Sequence, residues 1–443
     1  SGLRTFVFRV AMFAFMGASF LACISCGSKS KATKTTSGLT FRAFVSDPLH
    51  LTRAGVSPSL AIVDATKDLL STFTIGLSGS SQFPGLMAVS PDKSLTAIFS
   101  SQGNTVAVVN NARETLSQAG SATATSSAIT VPGPTESMFI GSDNSTAFAA
   151  IPSAPVSGQP PGAVVVLSLT GGFIKATLPI PGARYLVQSH SGDRILVFGD
   201  NSDVVTLIYT GLVGTSASPL AFISGFHRPV WAVFDGSDST AYVLNCGPEC
   251  GDANPASITP LDVGSGTPGI ALPLTSGGVN SGATTGLLSG NTLYVAGSPP
   301  GTTCSSGSAT VGCGTLTLVD LSGMTVMNSS PIFISDGYHN RVEMAANGQI
   351  FIGAHACTNI SASSGATARG CLSIFNTQTA GVVVPPDNGD VTGIATNPQH
   401  PVVYVCEGGV LRIYDAASGQ LQKTQINIVG QPTDVKIVDT PHF

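Results

Sequence analysis

The sequence predicts an all-β chain made of repeated units, and three observations carry that expectation. One pattern recurs along most of the 443 residues: an apolar strand, a tight turn of Ser, Asp, Asn or Gly, a second β-rich strand, a loop, and a third strand ending near Asp or Asn. It reads PGLMAVSPDKSLTAIFSSQGNTVAVVN around Met87, RPVWAVFDGSDSTAYVLN around Trp231 and VTGIATNPQHPVVYVCEGGVLRIYD from Val391. The units start near Pro84, Thr135, Ala183, Pro229, Ala283, Asn340, Val391 and Pro432. That spacing of roughly fifty residues, with several short strands per unit, is the signature of a β-propeller. Finally, only 10% of the residues are charged, against 51 Gly and 28 Pro. Such a mixture suits short strands joined by turns rather than long exposed helices, which need Lys and Glu.

The elements follow in order. The first unit offers strands over residues 41–46, 59–64 and 70–75 but lacks the first strand that the others carry. The last unit, residues 431–439, supplies one strand and stops. The two ends complete each other, so a C-terminal strand closes the ring and removes the open edge of a linear array. Seven internal units plus the shared one predict eight blades; seven is the alternative, because long loops near Gly301 and Ser363 blur the boundaries. Residues 106–109, 164–167 and 316–319 are β-branched and apolar, as expected of strands buried on both faces between neighbouring blades. The turns SPDKS, GSDNS, HSGDR, DGSDS and NPQH have hairpin chemistry. Their Asp and Asn residues read as turn formers rather than calcium ligands.

Arg4 and Arg9 flank a short basic start, and residues 10–24 are almost wholly apolar, the length of a signal core and short for a membrane span. The segment resembles a bacterial lipoprotein signal, with Cys26 as the acylated residue and Cys23 as the alternative; a plain secretory peptide or a single anchoring helix are the rival readings. The expected division is a signal over 1–26, a flexible polar tether over 27–40 and one propeller domain over 41–443. Six of the remaining seven cysteines fall into close pairs, Cys246 with Cys250, Cys304 with Cys313 and Cys357 with Cys371, each in a loop rich in small residues. Local pairs of this kind predict disulfides formed in an oxidising compartment. Metal ligation is the weaker reading, because the pairs lie in different repeats and CGPEC is too isolated to supply four ligands. Cys406 follows the apolar run 402–405 and reads as a buried free thiol.

The repeat resembles the YVTN, or YncE-like, family of β-propellers, through AVSPDKSLTAIFSSQGNTVAVVN, TLYVAGSPPG with TLTLVDLSG, and VVYVCEGGVLRIYDAASGQ. The resemblance covers residues from about Phe41 to the C-terminus and specifies fold more than function. It implies an exported bacterial or archaeal protein; the wider superfamily includes lactonase-like, quinoprotein-like and surface-layer propellers. The stapled loops and the low charge depart from it.

In a propeller the loop before the innermost strand and the loop between the second and third strands share one face. The three cysteine loops follow second strands, so they are expected on one rim, on three consecutive blades. The starts of two innermost strands carry His227 with Arg228 and His339 with Arg341, and Arg184 holds the equivalent place in an earlier unit. With His355, these side chains are the candidate ligand-binding set at the channel mouth, suited to a carboxylate, phosphate or sugar. A metal site from His227, His339 and His355 with Glu343 or Glu407 has no ligand-spaced motif behind it, and neither metal nor cofactor is predicted. There is no GxSxG, HExxH or P-loop, and the single Trp excludes a repeated tryptophan signature. The net charge of −5 and the lack of a basic stripe argue against nucleic acid. The expectation is an exported, lipid-anchored propeller that binds an envelope protein or glycan at the bacterial cell envelope. A periplasmic lactonase-like hydrolase or an oxidoreductase with its site at the channel mouth is the alternative.

Overall fold

The computed structural model describes residues 35–77, 83–117, 128–358, 365–386, 389–422 and 426–441. The chain divides into two compact units, Ser1–Thr36 and Ser37–Phe443, and every described strand lies in the second. Cys23, Cys26 and the signal segment 1–26 lie outside the described residues.

Among the described residues, eight antiparallel sheets of three to five strands follow one another along the chain, with three two-stranded hairpins besides. Seven of them open on their innermost strand: Pro84–Val89, Ser137–Ile140, Ala183–Gln188, Pro229–Phe234, Thr285–Ser289, Tyr338–Met344 and Val391–Thr396. These are blades 2 to 8 and begin within about two residues of the starts read from the repeat. The innermost strand of blade 1 is Asp434–Ile437, which pairs antiparallel with Arg42–Asp47 from the other end of the chain. Ala43 lies opposite Ile437 and Ser46 opposite Asp434. Each innermost strand contacts the next, and Asp434–Ile437 touches both Val391–Thr396 and Pro84–Val89. The ring is therefore an eight-bladed propeller closed by its C-terminal strand.

The apolar runs fill the space between blades. Residues 164–167 are wholly buried although they form one continuous apolar stretch, because each face of the sheet meets a neighbouring blade. The buried apolar side chains form eight clusters, one per blade junction. The cluster at the seam joins Val45 and Val435 of blade 1 to Tyr404 and Ile413 of blade 8. Arg42 clamps the next junction: it donates to Glu114 of blade 2 at 2.6 Å and to Asp439 at 2.6 Å. The turns between first and second strands lie on the opposite face from the cysteine loops, at the other end of the innermost strands. Their carboxylates accept turn amides, Asp92 from Ser94 at 3.0 Å and Asp143 from Thr146 at 2.9 Å. Lys93, Asn144 and Asp238 take left-handed backbone there, which explains the residue types without a cation.

One irregularity recurs where the site is built. The innermost strands of blades 4, 5, 7 and 8 each carry one extra residue at their start: Arg184, Val230, Asn340 and Thr392. Such bulges re-aim side chains, because one inserted residue exchanges the two faces of a strand. They make Ala183, Pro229, His339 and Val391 structural equivalents, all buried. Tyr185, Trp231 and Arg341 are equivalents on the other side of the bulge.

Candidate functional site

The three stapled loops occupy one rim on blades 5, 6 and 7. Disulfides join Cys246 to Cys250, Cys304 to Cys313 and Cys357 to Cys371, and Cys406 is a buried free cysteine. The loops are also tied to one another. Arg369 of blade 7 donates toward the sulfurs of Cys304 and Cys313 at 3.2 and 3.0 Å, and the Ser308 amide donates to the Gly365 carbonyl at 2.7 Å. Glu249, inside the first loop, accepts the Ser298 amide at 2.7 Å, and burial pushes its carboxyl up to about 7. The disulfides are those of a protein that folds in an oxidising compartment.

Beside this ridge opens a cavity of about 350 Å³ at the channel mouth. Arg184, Arg228 and His355 line it, with Glu136, Tyr185 and Tyr338. Arg184 is pinned: it donates to Asp200 at 2.7 Å and to Glu136 at 2.8 Å, and the Asp200 hydrogen bond foremost holds its pKa above the ordinary value. The rings of Tyr185 and Tyr338 run nearly parallel, 18° apart, with centroids 6.5 Å from each other. Burial pushes the Tyr185 hydroxyl up to about 12, and its proton points toward Glu136 at 3.3 Å. The His355 ring lies against Tyr338 at 5.2 Å, and burial lowers its pKa.

Arg228 stands apart from this network. Its φ is +53°, a left-handed backbone that costs a non-glycine residue energy and collects at functional positions. The backbone is held there from both sides: its amide donates to Asp203 at 3.0 Å, and its carbonyl accepts the Cys246 amide at 3.0 Å. Its guanidinium makes no hydrogen bond or ion pair to any described residue. The backbone is held while the half-buried guanidinium on the cavity wall stays without a partner among the described residues, an arrangement with donors to offer an anion.

The other candidates separate. Arg341 sits deeper, on the wall of a second cavity of about 270 Å³ within the channel. His227 is exposed on the rim, 3.2 Å from the Asn254 amide nitrogen, and lines neither cavity. His339 does not face the mouth: it is wholly buried, and desolvation lowers its pKa to about 4, against the opposing pull of the Ser335 backbone. The register is the reason. The two His-containing starts look equivalent in sequence, but the register aligns His339 with Pro229 and places Tyr338 at the level of Arg228. Among the described residues no group of three or more His, Cys, Asp or Glu could hold a metal ion. The combination of His227, His339 and His355 with Glu343 or Glu407 is therefore not among such groups.

Tyr185, Tyr338, Glu136 and Asp200 were not singled out by the sequence. Tyr185 follows Arg184 and Tyr338 precedes His339, so position at the start of an innermost strand was the signal that marked both.

Comparison with protein-family models finds no match, and comparison with curated proteins finds none either. Solved structures are similar in fold. One is dihydro-heme d1 dehydrogenase NirN, with TM-score 0.61 and 12% identity over 92% of this chain and 76% of that one. Another is the Dos1 propeller, with TM-score 0.56 and 12% identity over 80% and 87%. A third is hydrazine synthase of Kuenenia stuttgartiensis, with TM-score 0.50 and 13% identity over 79% and 98%. At these identities the likeness is one of fold, and a shared propeller does not choose among activities.

Proposed function

We propose that the chain is an exported binding propeller whose channel mouth holds a small anionic saccharide, as a free sugar acid or as the end of an envelope glycan. The observation that carries this reading is the Arg228 guanidinium, without a partner among the described residues, on a cavity that the near-parallel rings of Tyr185 and Tyr338 also line. The apolar C–H face of a pyranose stacks on such rings. Its carboxylate takes the free guanidinium, and the remaining lone pairs of Glu136 and Asp200 accept its hydroxyls. Arg184, already neutralised by Asp200 and Glu136, acts as a fixed wall. The stapled ridge beside the cavity supports a longer glycan or a partner protein along the rim. Attachment to the membrane through Cys26, with Cys23 as the alternative, belongs to the same reading.

Calorimetric titration with glucuronate and with uncharged glucose tests it. A charge-assisted hydrogen bond contributes on the order of 1.5–3 kcal/mol, so glucuronate binds at least about tenfold more tightly than glucose, and Arg228→Gln removes that preference. Equal affinity for the two sugars refutes the reading. A hydrolase at the same place is the second reading, favoured by one observation: His355, its pKa lowered by burial, is a neutral base on the cavity wall. Turnover of a sugar lactone that disappears in His355→Gln supports it; no turnover by the natural protein removes it.

A further inference from the structure

The second cavity lies within the central channel and meets the mouth cavity at Glu136 and Tyr185, which line both. Its two sides differ in chemistry. Blades 2 to 5 present an apolar wall that includes Leu86, Phe139 and Trp231; blades 6, 7 and 1 present Thr285, Arg341 and Lys436. Arg341 spends its Nε and Nη1 protons on the carbonyls of Thr392 and Asn340, at 3.1 and 3.0 Å. Carbonyls hold the guanidinium in place without cancelling its charge, and no carboxylate among the described residues pairs with it. Lys436 lies 3.6 Å from Asp434. That carboxylate also accepts the amides of Met87 at 2.8 Å and Val435 at 2.9 Å, and it is the counter-charge of Lys436. Glu343, two residues beyond Arg341, has its pKa raised by burial, against the pull of Lys436. Glu136, the remaining carboxylate of the lining, is committed to Arg184 and Tyr185 at the junction with the mouth.

We propose that the channel is a second, separate binding site, and that it takes an organic monoanion with an apolar body: the anionic group between Arg341 and Lys436, the body against Trp231 and Phe139. An inorganic anion would leave the apolar wall uncovered, and a neutral hydrocarbon would leave the Arg341 guanidinium without a counter-charge. At about 270 Å³ the cavity is just below the range of drug-sized pockets, ~300–1,000 Å³. It suits a molecule the size of a phenyl ring with a short acid arm. The site is independent of the saccharide reading, which rests on Arg228 and the mouth.

The protein carries its own reporter. Trp231 is the only tryptophan of the sequence and stands on the apolar wall, its ring edge-on to Tyr185 at 6.4 Å. Titration of the full chain with phenylacetate at fixed ionic strength is expected to change Trp231 fluorescence saturably. Phenylacetamide, of the same shape without the charge, is expected to bind at least about tenfold more weakly. The double variant Arg341→Gln with Lys436→Gln is expected to lose at least about tenfold in phenylacetate affinity, while Arg53→Gln, in an exposed hairpin remote from the channel, leaves it unchanged. Equal affinity for acid and amide overturns the proposal, as does the absence of a saturable response in the natural protein. The acid–amide comparison needs no variant, so it decides the matter even if the double variant does not fold. Glucuronate is expected not to displace phenylacetate; competitive displacement would merge the two cavities into one site and overturn their separation.

Discussion

A histidine enclosed in a propeller junction makes stability depend on pH in a way that can be calculated. His339 has no exposed surface, and desolvation lowers its pKa to about 4 although the Ser335 backbone opposes the shift. In the unfolded chain it titrates near its ordinary value of 6.5. Between these values the unfolded state binds the extra proton and the folded state does not. Stability contributed at neutral pH is therefore lost as pH falls below about 6.5, and the loss is complete only below about 4. Two and a half pKa units correspond to about 3 kcal/mol in full, of which about 2 kcal/mol is lost between about pH 7.5 and about pH 5. His339→Leu removes the titration while keeping the site apolar. Chemical denaturation of the natural protein and of the variant at both pH values gives the comparison. Other titrating groups cancel in the difference, so the acid-induced loss is expected to be about 2 kcal/mol smaller in the variant. An equal loss in both proteins would show that His339 can be protonated in the folded state, and would refute its enclosure.

Two further outcomes follow from the ring. Deleting residues 432–443 removes the pairing with Arg42–Asp47, the wholly buried Val435 and Val438, and the Asp439 partner of Arg42. The two valines alone contribute about 3–6 kcal/mol, so the truncated chain is expected to melt many degrees lower, and an unchanged melting curve would contradict ring closure. Peptide mapping without reduction is expected to return the three local disulfides with Cys406 free, and replacing Cys246 and Cys250 by Ser is expected to cost about 2 kcal/mol. That replacement should weaken glucuronate more than it weakens the fold, because Cys250 lines the mouth cavity and Cys246 holds the Arg228 carbonyl.

The architecture was legible because its signals are local. Strand runs such as 164–167, Asp-containing turns such as that around Asp143, and the unmatched strands at the two ends each declare themselves within a few residues. The close cysteine pairs did so as well. The site was legible only in part. Arg184, Arg228 and His355 converge on the mouth as expected, but His227 stays on the rim and His339 is buried. The cause is register: His339 aligns with Pro229, two residues beyond His227, an offset that the matching Gly-aromatic-His starts conceal. Glu136 and Asp200 could not be found from the sequence, because what selects them is the reach of Arg184 across two blades. The amphipathic channel was hidden for a similar reason. Its apolar and cationic walls come from Leu86, Trp231, Arg341 and Lys436 of four different blades; of these only Arg341 stood among the candidates, and it was expected at the mouth.

The central claim is that the mouth cavity is the binding site and that Arg228 is its anion receptor. A crystal structure of the protein grown with glucuronate tests this most directly. The predicted result is density for the sugar over the rings of Tyr185 and Tyr338, with its carboxylate within hydrogen-bond distance of the Arg228 guanidinium. Glucuronate bound elsewhere, with Arg228 turned to solvent and the cavity holding only water, would contradict the account.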